Sequence, residues 1–180
     1  MDRLVQDAAR VAASQAALRE TASTLTRLTG EGIVGAVLAG AAFLVAAGRR
    51  RDALVVVGGT LGAWALSAGL KVAFAVPRPN RHEPWHAITG YGFPSAHVLV
   101  AVVACGLLAW ALGREARRGV RVTLYAGAAA IGMLAGAARV ILNAHWLSDV
   151  IAGLAVGVVW LILVLLSISH SSAPDGGRHP

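Results

Sequence analysis

Five uninterrupted apolar blocks constrain what this chain can fold into. Ile33–Gly48, Ala53–Val76, Ala96–Leu112, Val122–Ala138 and Leu147–Ile168 are nearly free of charge. About 20 apolar residues cross a hydrocarbon core, within a range of about 17–25. The second and fifth blocks meet that length easily and the third and fourth adequately. The first reaches it by drawing in Thr29–Gly32. A soluble domain of 180 residues could bury one such helix, not five. The expected fold class is therefore all-α, a polytopic membrane bundle of about five transmembrane helices. Composition agrees: the chain is 57% hydrophobic and 14% charged, against roughly 45–50% and 25% in soluble domains. Disorder needs the opposite balance. Cys105 has no disulfide partner in the chain and reads as a packing residue.

Helices in lipid gain little from apolar contact with one another, so close approach through small residues matters more. Gly58–Gly62, Gly132–Gly136 and Gly153–Gly157 carry that spacing. Trp64, Trp110 and Trp160 read as lipid-facing or interfacial.

Residues 1–28 differ from the rest. Leu4, Val11, Leu18 and Leu25 repeat every seven residues, with Ala8 and Ala22 beside them and Arg10, Arg19, Glu20 and Arg27 around the wheel. This predicts an amphipathic helix, too polar to span. It would lie on the membrane surface and pack on the bundle, and its heptad seam also offers a homo-oligomer contact. No apolar core follows a basic start, so it is not read as a signal peptide. The chain thus divides into an N-terminal helix (1–29), a transmembrane domain (30–170) and a disordered tail (171–180).

The formal net charge is +7, and its placement gives an orientation. Arg49–Arg51, Arg114, Arg117, Arg118, Arg121 and Arg178 fall on one side of a five-span thread, which positive charge in short loops marks as cytoplasmic. The Lys71–Ala96 and Arg139–Leu147 connections and the N-terminal helix fall on the other, outer side of the cell membrane. No soluble basic face exists, so nucleic acid is excluded as a partner.

Ionisable groups at membrane depth cost at least ~2.5–3.5 kcal/mol each and usually mark function. Lys71, Arg78, Ser95, His97, Arg139, His145 and Asp149 all fall at the outer ends of spans. Ser95 precedes an apolar helix as a natural N-cap, leaving first-turn N–H groups that favour an anion. Lys71, Arg78 and Arg139 add cations suited to phosphate. Asp149 stands four residues after His145, on the same helical face, and can orient that ring. His97 is a second titratable ring. Which histidine attacks and which moves protons stays open at this level.

Lys71 followed after six residues by Arg78-Pro79, then Pro94-Ser95-Ala96-His97, then Arg139 with His145 and Asp149, resembles the three signature motifs of the phosphatidic acid phosphatase type 2/haloperoxidase superfamily. The resemblance covers residues 71–149 with order and spacing kept. It implies that Lys71, Arg78, Arg139, Ser95 and the Ala96 N–H bind phosphate. It further implies that His145 forms a phosphohistidine oriented by Asp149, and that His97 protonates the leaving group and then activates water. No metal or cofactor is called for. Two departures stand out: Ala138 replaces a usual Ser, and Ala96 a common Gly. Membrane members commonly have six spans, and the N-terminal helix here takes the place of the first.

The expected function is an integral-membrane lipid phosphatase acting at the extracytoplasmic face on a polyprenyl phosphate or diphosphate, phosphatidate or phosphatidylglycerol phosphate. The alternatives are a non-catalytic lipid-phosphate binding or transport protein, and a vanadate-dependent haloperoxidase, whose known members are soluble. His82-Glu83-Pro84-Trp85-His86 matches a zinc-protease pattern, but Pro84 disfavours the helix that pattern needs. This loop reads instead as a substrate rim, with Arg81, Trp85, Tyr91 and Phe93, and with Trp146 facing it.

Overall fold

The computed structural model describes residues 1–79 and 90–170, which form helices and turns without strands. In chain order these are α1 (Asp2–Ala13), α2 (Ala16–Arg27), a π-helical turn (Leu28–Gly32), α3 (Ile33–Ala46), α4 (Arg50–Phe74), α5 (Ala96–Gly113), α6 (Arg118–Ile141) and α7 (Leu147–His170). Five helical segments are long and apolar enough to cross a membrane: Ala16–Ala46, Arg50–Phe74, Ala96–Gly113, Arg118–Ile141 and Leu147–Ser169.

The number of spans agrees with the apolar blocks, but the start of the first does not. Helix runs without interruption from Ala16 through the π turn to Ala46. The amphipathic segment is two helices, broken at Ser14 and Gln15, and only α1 stands apart from the spans. Extended backbone at Gln15, the residue before α2, makes the break. Heptad spacing carries no record of such a corner. The seam itself faces outward: Leu4 and Val11 are exposed, whereas Gln6 and Ala9 are buried against the bundle. Val5, Gln6 and Ala9 thus form the inward face of α1, and Leu4 and Val11 its outward one.

α5 is the axis of the bundle, packed against α3, α4, α6 and α7. Its Val98, Leu99, Ala101, Val103, Ala104 and Leu107 form the centre of the core. Small residues allow close approach. A Cβ on Gly153 of α7 would lie 2.8 Å from the Ser95 carbonyl oxygen, and one on Gly157 3.1 Å from that of Leu99. Because the obstruction is backbone, α7 can sit this close to α5 only with glycine at those positions. Gly132 and Gly136 likewise face Val102 and Val150. Gly58 faces open space, and it is Gly59 and Gly62 that meet Leu107 and Trp160. Trp160 is thus an interhelical residue rather than a lipid-facing one; its indole N–H donates to the Gly59 carbonyl at 2.9 Å. Trp64 is exposed, and Arg114 covers the ring of Trp110 at 5.7 Å.

The two ends of the bundle separate the charges as the threading requires. At one end buried Asp52 pairs with Arg49 and Arg114, each at 2.7 Å, and Arg49 also donates to the Ala111 carbonyl. At the other end α1, the turn between α6 and α7, and the loop before α5 come together.

Candidate active site

Each chemistry-bearing residue sits where a helix begins or ends. Lys71 occupies the last turn of α4, which stops at Phe74 because Ala75 takes left-handed backbone at φ 49°. Arg78 follows between Pro77 and Pro79. Ser95 precedes α5, and its extended backbone makes it the N-cap residue, yet its hydroxyl forms no capping bond. Arg139 lies in the last turn of α6. Asp149 lies in the first turn of α7, just after the tight turn that carries His145.

That turn aims the histidine. The Arg139 carbonyl accepts from Ala144 N at 3.0 Å and from His145 N at 3.3 Å, while Asn143 adopts left-handed backbone at φ 54°. His145 and Asp149 are each 1% exposed. His145 Nδ1 donates to Asp149 Oδ2 at 3.1 Å, and the same oxygen accepts from Trp146 N at 3.1 Å. Arg78 Nη1 donates to both the Ala144 carbonyl and His145 Nε2, each at 2.9 Å. A guanidinium only donates and a carboxylate only accepts. The tautomer follows: the proton rests on Nδ1, and Nε2 presents a lone pair.

Burial holds His145 below the ordinary histidine range, at about 4, assisted by the charges of Arg78 and Arg139 and opposed by Asp149. The ring is thus neutral at neutral pH, and its Nε2 lone pair accepts from Arg78. Arg78 is also lowered by burial, against the attraction of Asp149. Because native His145 binds fewer protons than the unfolded ring between about 4 and 6.5, its contribution to stability is full above that window. It is lost as pH falls through it. Any kcat/KM that depends on neutral His145 should fall on the acid side with a midpoint near 4 rather than 6.5, which a pH–rate profile of the purified protein checks.

Donors without partners mark where an anion would sit. Among the described residues, Ser95 Oγ, Arg78 Nε and Arg139 Nε are buried and make no hydrogen bond. Arg139 is buried, and the charges of Arg78 and Arg139 act on both His97 and His145. Unpaired buried donors are costly, and an oxyanion would satisfy all three together with the first-turn N–H groups of α5. Lys71 differs from the two arginines. Its ammonium already donates to the carbonyls of Tyr91 at 3.1 Å, Gly92 at 2.9 Å and Pro94 at 2.8 Å. All three of its donors hold the loop before α5 in place.

The remaining sequence-derived residues divide. Ala96 and His97 form the first turn of α5, and His97 lines a cavity of about 760 Å³ between α3, α4 and α5. Lys71 and Glu31 mark the polar end of that cavity, and Ile33, Val37, Leu61 and Trp64 its apolar remainder. Phe93 packs edge-to-face on Phe74 at 5.1 Å. Tyr91 is exposed, and the Trp146 indole donates to the Pro77 carbonyl at 3.1 Å. Arg81, Trp85, the His82–His86 pattern and the tail lie outside the described residues. Ala138, where Ser is usual, is wholly buried in α6.

Several neighbours of the site gave no signal in the sequence reading. A Cβ on Gly92 would lie 2.9 Å from Asp149 Oδ2, and one on Gly30 3.2 Å from His97 Nε2. The Gly90-Tyr91-Gly92-Phe93-Pro94 run is a signal that could mark a tight turn around Gly92, but nothing in the spacing brings the π turn to His97. Asp2 and Gln6 also border the site, joined to it only by tertiary contacts with Ser148 and Asn143.

Fold and site together define a multi-pass membrane protein with a buried His145–Asp149 pair bonded by Arg78, and with His97 on a largely apolar cavity. The chain belongs to the PAP2 superfamily, which matches residues 52–172. It is similar in fold to the crystal structure of a transmembrane PAP2-type phosphatidylglycerolphosphate phosphatase from Bacillus subtilis. That likeness has a TM-score of 0.85 and 22% sequence identity, covering 97% of this chain and 87% of that one. No curated protein matches the sequence.

Proposed function

We propose that the protein is a lipid phosphatase that acts through a phosphohistidine at His145 without a metal. The observation that carries this reading is the lone pair of His145 Nε2, oriented by Asp149 and set among buried donors that lack partners. In the first step Nε2 attacks phosphorus and the P–O bond to the lipid breaks. His97 supplies the proton that the departing oxygen needs. Asp149 stabilises the cationic ring so formed. In the second step water attacks the same phosphorus, His97 takes its proton, and the P–N bond breaks to release phosphate and restore His145. Arg78, Arg139, Ser95 and the Ala96 N–H hold the phosphoryl oxygens through both steps. Lys71 supports them by shaping the loop before α5 and by its nearby charge.

The apolar cavity beside His97 fits a substrate whose headgroup reaches the cations while a tail stays among α3, α4 and α5. Polyprenyl phosphates and diphosphates, phosphatidate and phosphatidylglycerol phosphate all have that form. The Bacillus subtilis protein acts, by its description, on the last of these. The cationic loops at the Asp52 end support an extracytoplasmic position for the site, because positive charge in short loops favours the cytoplasm. The test is phosphate release from a panel of these lipids by the purified protein, with and without a chelator. Release from at least one lipid, unchanged by the chelator, is expected. Lipid binding without release would favour a binding or transport protein instead, and loss of release in the chelator would refute the metal-free route.

A further inference from the structure

α1 holds both ends of the turn that carries His145. Asp2 and Gln6 are four residues apart and so share one face of the helix. Asp2 Oδ1 accepts from Ser148 N at 3.2 Å, and Oδ2 accepts from Ser148 Oγ at 2.7 Å. Ser148 lies in the first turn of α7, where backbone N–H groups have no partner within the helix. Asp2 therefore caps α7 from another helix, one residue before Asp149. At the opposite end of the turn Gln6 Nε2 donates to Asn143 Oδ1. Gln6 is 2% exposed and Asn143, the residue with left-handed backbone, 3%. Between these two anchors lie Ala144, His145 and Trp146, which belong to no helix, and Leu147, where α7 begins.

We propose that Asp2 and Gln6 are positioning residues, and that α1 clamps the turn so that His145 Nε2 keeps its aim at phosphorus. The inference rests on the reading of His145 as the nucleophile. Among the described residues, neither lines the cavity beside His97 and their side-chain hydrogen bonds go to the turn alone, so the clamp acts on aim and not on anion affinity. A misplacement of about 1 Å at a reacting atom can cost about 100-fold in rate. The outer face of α1 leaves Leu4 and Val11 exposed, an apolar face suited to a membrane surface.

The test compares the parent with Asp2→Ala/Gln6→Leu, using two inorganic probes besides lipid turnover. Vanadate bonds to a correctly aimed imidazole nitrogen, whereas sulfate feels only the cations and N–H donors. The double variant should lose about 10- to 100-fold in kcat and a similar factor in vanadate affinity, with KM and sulfate affinity nearly unchanged. Asp2→Asn, which keeps one acceptor for Ser148, should lose much less, and it serves also if the double variant fails to fold. A double variant that keeps vanadate affinity, or that loses sulfate equally, overturns the proposal. A parent with no preference for vanadate over sulfate overturns the reading of His145 and the clamp with it. Both probes need no turnover, so failure of the clamp is distinguishable from failure of the phosphatase reading.

Discussion

His145→Ala should lower kcat by about 10⁴-fold or more on whichever lipid the parent hydrolyses. The bond from Nδ1 to Asp149 leaves the ring's lone pair on Nε2, where Arg78 Nη1 donates to it and must give way for attack on phosphorus. Without that lone pair no covalent intermediate forms, and water would have to attack directly without a positioned base of the same reach. The substitution removes no phosphate donor; it frees Arg78 Nη1 from one of its two partners. Sulfate should therefore bind about as well as in the parent, while turnover vanishes. Single-turnover and steady-state phosphate release, measured beside sulfate competition, check the contrast. A variant within about tenfold of the parent rate would exclude His145 as the nucleophile.

Asp149→Asn is expected to cost about 10²–10⁴-fold in kcat. Asp149 Oδ2 accepts two N–H groups, from His145 and from Trp146. An amide can place its oxygen there and keep both bonds, so the turn should hold its shape. What disappears is the negative charge facing an imidazolium that exists only during reaction. Gly92 packs so closely that a Cβ there would lie 2.9 Å from this oxygen, which leaves little room for the side chain to move elsewhere. The expected signature is a fall in kcat with KM held, and with sulfate bound no more weakly than before. A parallel rise in KM of the same size would instead assign Asp149 to phosphate binding.

The parts of the protein that could be read in advance are those governed by local rules. Apolar blocks longer than a bilayer is thick become spans wherever they occur, and cations at alternating ends set the threading. The i, i+4 spacing of His145 and Asp149 already implied their hydrogen bond, and Pro94-Ser95 implied the start of α5. Lys71, Arg78 and Arg139 could be recognised as the cations of one site because a five-span thread brings them to one side of the membrane.

Other assignments needed partners that are distant in sequence. The carbonyl partners of Lys71 could not be foreseen: its ammonium donates to Tyr91, Gly92 and Pro94 because that loop folds back over the end of α4. Trp160 was expected to face lipid, yet it turns inward where Gly59 and Gly62 leave a gap for its ring. Ser95 occupies its N-cap position, but its hydroxyl is left without a partner. Leu4 and Val11 mark an amphipathic helix correctly, but the face that matters for the site is the opposite one, with Asp2 and Gln6.

Hydropathy, charge placement and short motif spacing thus established an all-helical membrane bundle whose motif residues gather at one end. Those properties depend on transfer into lipid and on neighbours within a turn or two of helix. Which donors are free for an anion, which lone pair faces them, and what steadies the turn beneath were decided by packing. They depend on hydrogen bonds between residues as far apart as Asp2 and Ser148, whose partners exist only once the helices are assembled.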